Sequence, residues 1–423
     1  MTDDARGAID AVWRIESARL IAGLTRIVRD VGLAEELAQD ALVAALEQWP
    51  ESGVPDNPGA WLMATGKHRA VDRLRRAEVH ERKTNELGRD LELRGEVESR
   101  NLEAEIDDPI DDDLLRLIFT TCHPVLSTDA RVALTLRLLA GLTTREIARA
   151  YLVSEATVAQ RIVRAKRTLS EARVPFEVPE HDELAGRLAS VLEVIYLIFN
   201  EGYAATAGDD WIRPELIEEA LRLGRILAEL LPSEPEVHGL VALMELHSSR
   251  SRARIGPSGE AILLLDQDRS RWDWLLVGRG LAALDRAQST GGALGPYTLQ
   301  AAIAACHARA RIADDTDWEP IVALYDGLAQ LLPSPVVELN RAVAIGMAFG
   351  PEAGLELVDA LTSEPALRGY HLLPTVRGDL LAKLGRDDEA RVEFDRAASL
   401  TQNARERAVL LERMAACSPR NGG

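Results

Sequence analysis

Arginine dominates the chemistry this sequence can offer. Between Trp61 and Lys83 seven bases (Lys67, Arg69, Arg73, Arg75, Arg76, Arg82 and Lys83) stand against three acids, with His68 among them. From Thr143 to Arg173 seven more (Arg145, Arg149, Arg161, Arg164, Lys166, Arg167 and Arg173) again face three acids. Guanidinium groups at this density grip phosphate through paired N–H donors and displace its condensed counter-ions. Between the clusters, Glu96 to Asp113 holds nine acids and a single base, Arg100. Only four of the 49 bases are lysine, so arginine abundance alone is weak support for phosphate binding; the alternation of sign along the chain is the stronger signal.

Other reactive groups are sparse. Cys122-His123 and Cys306-His307 invite a metal or a nucleophile, but adjacent residues diverge by about 100° around a helix and neither pair has a partner at ligand spacing. Buried structural roles are expected for both. A hydrolase using either thiol survives as a rival only if a Cys→Ala change abolishes activity without unfolding. The sequence contains no GxxxxGK[ST] phosphate loop, no nucleophile elbow and no zinc cluster, so neither catalysis, nor a metal, nor a cofactor is expected. In the C-terminal half, Asp268, Arg269, Arg271 and Asp273 alternate in sign around Trp272. They line a ligand or peptide groove, or form an internal ion-pair network holding an irregular segment. Asn200, Glu201 and Tyr203 share both readings.

These groups need a scaffold, and 423 residues with 47% hydrophobic content supply cores for two or three domains. The longest apolar run, Val191 to Phe199, is far too short to span a bilayer and contains Glu193. The acidic start Met1-Thr2-Asp3-Asp4 is unlike a secretory signal, and three widely separated cysteines build no disulfide framework. A reduced, cytoplasmic protein is expected. The net charge of -19 opposes nucleic-acid binding on average, with 25 bases against 32 acids up to Glu180. The two basic clusters stand out against that background.

Apolar residues recur at helical spacing in nearly every window and strand signals are nearly absent, so an all-α fold is predicted. Val12, Ile15, Leu20, Leu24, Ile27 and Val31 form one stripe; Leu37, Ala41, Leu42, Ala45, Leu46 and Trp49 form the next, broken by Pro50 and Gly53. A third helix is predicted from Pro58 through Trp61 and Leu62 to Leu74. Arg131 to Leu139, stopped by Gly141, precedes Thr143-Thr144-Arg145-Glu146, a hydroxyl three residues before a carboxylate as in a capping box. A short helix from Glu146 to Tyr151, a turn at Leu152-Val153 and a helix capped by Ser154 complete a helix-turn-helix. Its second helix would leave Glu155, Gln160, Arg161, Arg164 and Arg167 accessible for a major groove. Beyond Pro179, Gly378, Leu381, Gly385, Ala390, Phe394 and Ala397 stand at tetratricopeptide spacing. Ala353, Leu357, Ala360 and Pro365 repeat the second helix of that unit, as do Ile321, Tyr325, Leu328 and Pro333. A less regular piece is expected from Leu184 to Thr290.

In that order and spacing, four segments resemble an extracytoplasmic-function (ECF) sigma factor of RNA polymerase. They are Ala34-Glu35-Glu36-Leu37-Ala38-Gln39-Asp40; Asn57-Pro58-Gly59-Ala60-Trp61-Leu62 leading to His68-Arg69-Ala70-Val71-Asp72-Arg73-Leu74-Arg75-Arg76; Gly141-Leu142-Thr143-Thr144-Arg145-Glu146-Ile147-Ala148; and Ser154-Glu155-Ala156-Thr157-Val158-Ala159-Gln160-Arg161-Ile162-Val163-Arg164-Ala165. Leu42 and Leu46 depart from the family, which often has aromatics there. The C-terminal half resembles the long tetratricopeptide-like extension of one subgroup, through Phe199-Asn200-Glu201-Gly202-Tyr203, Gln267 to Asp273, Gly295 to Ile303, Thr316-Asp317-Trp318 and Pro333 to Arg341.

The resemblance implies a region 2 domain over 1–86, an acidic linker over 87–110, a region 4 domain over 111–176 and a helical extension over 177–423. It implies that core RNA polymerase docks on Glu35, Glu36, Gln39, Asp40 and Leu42. Lys67, His68, Arg69, Arg73, Arg75 and Arg76 would hold the melted minus-ten element. Arg145, Glu155, Thr157, Gln160, Arg161, Arg164 and Arg167 would read the minus-thirty-five element. Trp61 is expected to pack as core or wedge, and the linker to mimic RNA or act as a solvated tether. A protein or small ligand on the extension would tune the factor. The competing readings are a stand-alone helix-turn-helix regulator with a repeat-type sensor, and a repeat scaffold whose front half has lost transcription.

Overall fold

A computed structural model describes residues 3–87, 110–151, 153–203, 212–256, 262–291, 294–401 and 403–417. Nearly all of the expected acidic linker, and Leu152 of the expected turn, lie outside these residues. Among the described residues the regular elements are helices and there is no sheet, as predicted. The chain divides into two compact units, residues 1–195 and 196–423.

The first unit begins with α1 (Asp3–Val28), α2 (Val31–Ser52) and α3 (Pro58–Leu87). Asp30 caps α2 by accepting a hydrogen bond from the Leu33 amide at 2.8 Å. Of the expected breakers it is Gly53, with a φ of 82° that suits glycine, that ends α2, while Pro50 is carried in the last turn. Helix α3 also runs past its expected end at Leu74. Leu62, Gly66 and Ala70 recur every fourth residue and are buried. This row seats α3 on α1 beside Leu20 and Leu24, and Gly66 lets Leu24 approach so closely that a Cβ there would lie 3.0 Å from it. The predicted stripe on α1 is partly wrong: Ile15 is 67% exposed. It lies nine residues from the buried Leu24, about 180° away around the helix. The buried arc instead centres on Ser17, Ala18, Leu20, Ile21, Leu24 and Thr25, because α2, α3 and the next helix, α4 (Ile110–Thr121), all pack on α1.

There follow α5 (Thr128–Leu138), α6 (Thr144–Ala150), α7 (Glu155–Glu171) and α8 (His181–Tyr203). Gly141 closes the α5 terminus with φ 68°. The capping box forms as read: the Thr143 amide and hydroxyl both donate to Glu146 at 2.8 Å, and the Glu146 amide donates back to the Thr143 hydroxyl. Ser154 accepts from the Thr157 amide at 3.1 Å and opens α7. Val158, Ile162, Ala165 and Leu169 are its buried face, packed on α5 and α6.

The second unit holds α9 (Pro214–Leu230), α10 (Pro235–Ser248), α11 (Trp274–Ser289), α12 (Pro296–Arg309), α13 (Trp318–Leu331), α14 (Pro335–Phe349), α15 (Pro351–Leu361), α16 (Leu372–Lys383), α17 (Asp387–Leu400) and α18 (Ala404–Ala416). From α9 onwards, the helices largely pack each on the next. In the stretch expected to be less regular, Leu184 to Thr290, the described residues are mostly helical, and those between α10 and α11 include short 3₁₀ turns at Ser251–Ala253, Leu264–Asp266 and Arg269–Arg271. In the predicted repeat, Ala390, Phe394 and Ala397 are buried, and a Cβ on Gly378 would lie 2.9 Å from the Phe394 ring. One register differs: on α15 Gly354, Leu355 and Val358 are buried while Ala360 is exposed, because Gly354 brings α15 against the α14 backbone.

Candidate nucleic-acid interface

With Leu62, Gly66 and Ala70 turned inward, α3 presents His68, Arg73, Arg75 and Arg76 to solvent, and Lys67 and Arg69 are half-buried. Arg73, Arg75 and Arg76 carry no ion pair among the described residues. Arg69 lies 3.8 Å from Asp40, a pair exposed on both sides and therefore weak. Trp61 packs edge-on against Trp49, ring centroids 5.3 Å apart, so it serves the core at the base of this face.

On the helix-turn-helix, Arg145, Glu155, Gln160, Arg164 and Arg167 are exposed. Arg164 and Arg145 carry no ion pair among the described residues. Three of the expected contacts are otherwise engaged. Arg161 pairs with Asp129 at 2.7 Å, Arg167 with Glu171 at 2.6 Å, and the Thr157 hydroxyl bonds Ser154 at 2.8 Å. The first two are surface pairs that a phosphate can replace at little cost. Arg145, Glu146, Arg149, Val153 and Glu155 border a shallow concavity of about 370 Å³ where α6 meets α7. Burial pushes the Glu146 carboxyl up, but its bonds from Thr143, with Arg14 and Arg149 nearby, outweigh this and hold it below the usual carboxylate range.

The expected polymerase face is split. Glu36 and Asp40 are exposed and Leu42 is half-buried, whereas Glu35 is 5% exposed and points inward. Its carboxylate accepts from Arg137 Nε at 2.7 Å, from Gln39 Nε2 at 2.7 Å and from Lys166 Nζ. Arg137 is on α5 and Lys166 on α7, so Glu35 ties the α1–α3 bundle to the helix-turn-helix. A second tie joins Arg26 Nε to Asp113 at 2.9 Å, and Arg116 holds the same carboxylate. Burial raises the Asp113 carboxyl, and the two arginines only partly reverse it. The sequence reading missed both ties. By sequence Lys166 belongs to the second basic cluster and Asp113 to the acidic stretch between the clusters, since no local pattern distinguishes a charge that finds its partner 87 or 131 residues away. A third unread element is Arg131, buried on α5, which bonds Ser190 and Glu193 of α8 and so ties that helix to α5.

The thiols are not poised for reaction: burial raises both Cys122 and Cys306, keeping them protonated. Among the described residues no group of three or more metal-binding side chains converges, and no helix is long and apolar enough to cross a membrane. Around Trp272 the expected charges do not pair with one another. Asp268 and Asp273 cap the turns that follow them, while Arg269 donates to the carbonyls of His307 and Ala310. Glu201 pairs with Arg213.

Comparison with known proteins agrees with this geometry. The sigma-70 region 2 family matches residues 15–79 and the sigma-70 region 4 family residues 116–169, while residues 187–288 match a family of unknown function, DUF6596. An uncharacterised protein of Rhizobium meliloti is 44% identical over 97% of this chain and 95% of its own length. The ECF RNA polymerase sigma factor SigK of a Mycobacterium species is 29% identical over 37% of this chain and 77% of its own. The probable ECF sigma factor SigI of Mycobacterium tuberculosis is 26% identical over 40% of this chain and 57% of its own. The helix with free arginines after Trp61 and the capped helix-turn-helix fall within the two matched regions, and the chain accordingly carries sigma-70 regions 2 and 4, is similar to ECF-type sigma factors over these regions, and has a long helical extension behind region 4.

Proposed function

We propose that this chain binds core RNA polymerase and directs it to promoters. In this reading α3 holds the melted minus-ten strand with Arg73, Arg75 and Arg76, and α7 enters the major groove at the minus-thirty-five element with Glu155, Gln160 and Arg164. Polymerase performs the chemistry; the factor contributes specificity, and contacts to unpaired bases offset the few kcal/mol needed to extrude each one. The observation that carries the reading is that both matched regions present solvent-facing arginines with no ion pair among the described residues, Arg73, Arg75 and Arg76 on α3 and Arg145 and Arg164 on the helix-turn-helix. The division into 1–86, 87–110, 111–176 and 177–423, and a tetratricopeptide-like regulatory role for the last, are part of the same proposal. So are docking through Glu36, Gln39, Asp40 and Leu42 and a cytoplasmic location.

The packed first unit is then a resting form. The two promoter elements lie roughly 25 base pairs apart, about 85 Å along B-DNA. A compact unit of this size has a radius of gyration of about 16 Å and cannot reach both. Glu35, released from Arg137 and Lys166, would join the polymerase-facing surface. The test is promoter binding by gel shift, with the full chain alone and with core polymerase. A shift is expected only with core, and the triple variant R73A/R75A/R76A should abolish it. A shift of equal strength without core would support a stand-alone regulator instead.

A further inference from the structure

The second unit contains a buried positive charge with no counter-ion among the described residues. Arg250, just past the end of α10, is 9% exposed. Its guanidinium lies 5.9 Å from the ring centroids of both Tyr203 and Trp272, its Nε has no hydrogen-bond partner, and no carboxylate pairs with it among the described residues. Two further buried arginines surround it. Arg254 stacks 3.8 Å over Tyr203 and donates to the Tyr203 carbonyl. Arg269 donates to three neutral acceptors, the carbonyls of His307 and Ala310 and the Thr316 hydroxyl, while its Nε has no hydrogen-bond partner among the described residues. The adjoining His247 and His307 are held uncharged by burial and by these arginines. A buried cation without an anion is strongly unfavourable, so a fold that retains one has a use for the field.

The same place has an opening. A pocket of about 750 Å³ is lined by Ser251, Trp272, Ile255 and Pro214, with Arg252 and Arg271 also on its wall. The Ser251 Oγ and the Trp272 Nε1 are both buried, and neither has a hydrogen-bond partner among the described residues. Asp273, the carboxylate in the wall, is engaged at the α11 N-terminus, where it accepts from the Leu275 and Leu276 amides. An indole N–H and a hydroxyl in the wall are therefore without a partner among the described residues, and the Arg250 guanidinium, which is not itself part of the wall, lies 5.9 Å from the Trp272 ring centroid. Only a group rich in acceptors satisfies all of them, and the apolar sides contributed by Trp272, Ile255 and Pro214 suit an organic body attached to it.

We propose that this pocket binds a small organic oxyanion, a phosphate ester or a carboxylate, with Ser251 and Trp272 as hydrogen-bond donors and Arg250, Arg252 and Arg271 as the balancing charge. The site lies wholly within the second unit and does not depend on the promoter reading. The test is thermal unfolding of the full chain with saturating phenyl phosphate, benzoate or benzyl alcohol, followed by calorimetric titration. One or both anions should raise the Tm and the neutral alcohol should not; which anion acts identifies the source. Arg250→Met should leave the free protein at least as stable, since it removes an unpaired buried charge, and should weaken anion binding at least tenfold. Ser251→Ala, which cannot disturb packing, should weaken it several-fold. The proposal is overturned if neither anion binds, if the alcohol binds equally well, if binding survives in both variants, or if Arg250→Met lowers the Tm while Ser251→Ala binds as well as the parent.

Discussion

Individual side chains in this protein differ in whether their partners are local. Arg164 and Arg73 could be picked out from the sequence because both lie on the exposed side of an amphipathic helix, a property set within two turns. If Arg164 meets a base, Arg164→Ala should weaken holoenzyme binding to the upstream element by about 1 to 3 kcal/mol, and by less if it meets only phosphate. A titrated gel shift separates the two, and an unchanged affinity would remove Arg164 from the interface. His307 could not be read this way. It is pushed down to about 4, first by burial and then by Arg250 and Arg269, from an ordinary value of 6.5. A histidine with a depressed folded value stabilises the fold above the unfolded value, and that contribution is lost as pH falls through the folded one. The second unit should therefore lose up to roughly 3 kcal/mol between pH 6.5 and pH 4, and His307→Gln should flatten the loss. Tm measured across that range checks it.

Helix boundaries were legible where a side chain caps its own turn. Thr143 with Glu146, Ser154 with Thr157, and glycine at 53 and 141 are interactions within a few residues, so composition alone specifies them. Thr143→Ala should cost about 1 kcal/mol and loosen α6, the helix that braces α7. The sensitive readout is urea unfolding together with upstream-element affinity, both of which should fall. Two boundaries extend further than the sequence pattern suggests: α2 carries Pro50 in its last turn, and α3 runs past Leu74. In the second unit the small-residue contacts between helices have no slack. Gly378→Ala would place a methyl 2.9 Å from the Phe394 ring and should destabilise by about 1 to 3 kcal/mol. An unchanged Tm would mean that α16 and α17 can move apart.

At the scale of the first unit, the question is what holds region 2 against region 4. Glu35 answers for α2, α5 and α7, and Asp113 for α1 and α4. Glu35→Gln leaves Arg137 and Lys166 without a carboxylate and should weaken the packed form by about 1 to 3 kcal/mol. Small-angle scattering should report a larger radius of gyration, and core polymerase should associate faster; an unchanged radius would show that apolar contacts alone keep the unit closed. The sequence by itself determined what depends on neighbours along the chain: helical class, caps, the two arginine faces and the small-residue helix pairs. The tertiary structure alone decided which charges are spent inward, Glu35 on Arg137 and Lys166 and Asp113 on Arg26, and that Arg250 is buried with no carboxylate partner among the described residues. Helical periodicity is a local regularity of 3.6 residues, whereas an ion pair between residues about a hundred positions apart exists only after the chain has closed upon itself.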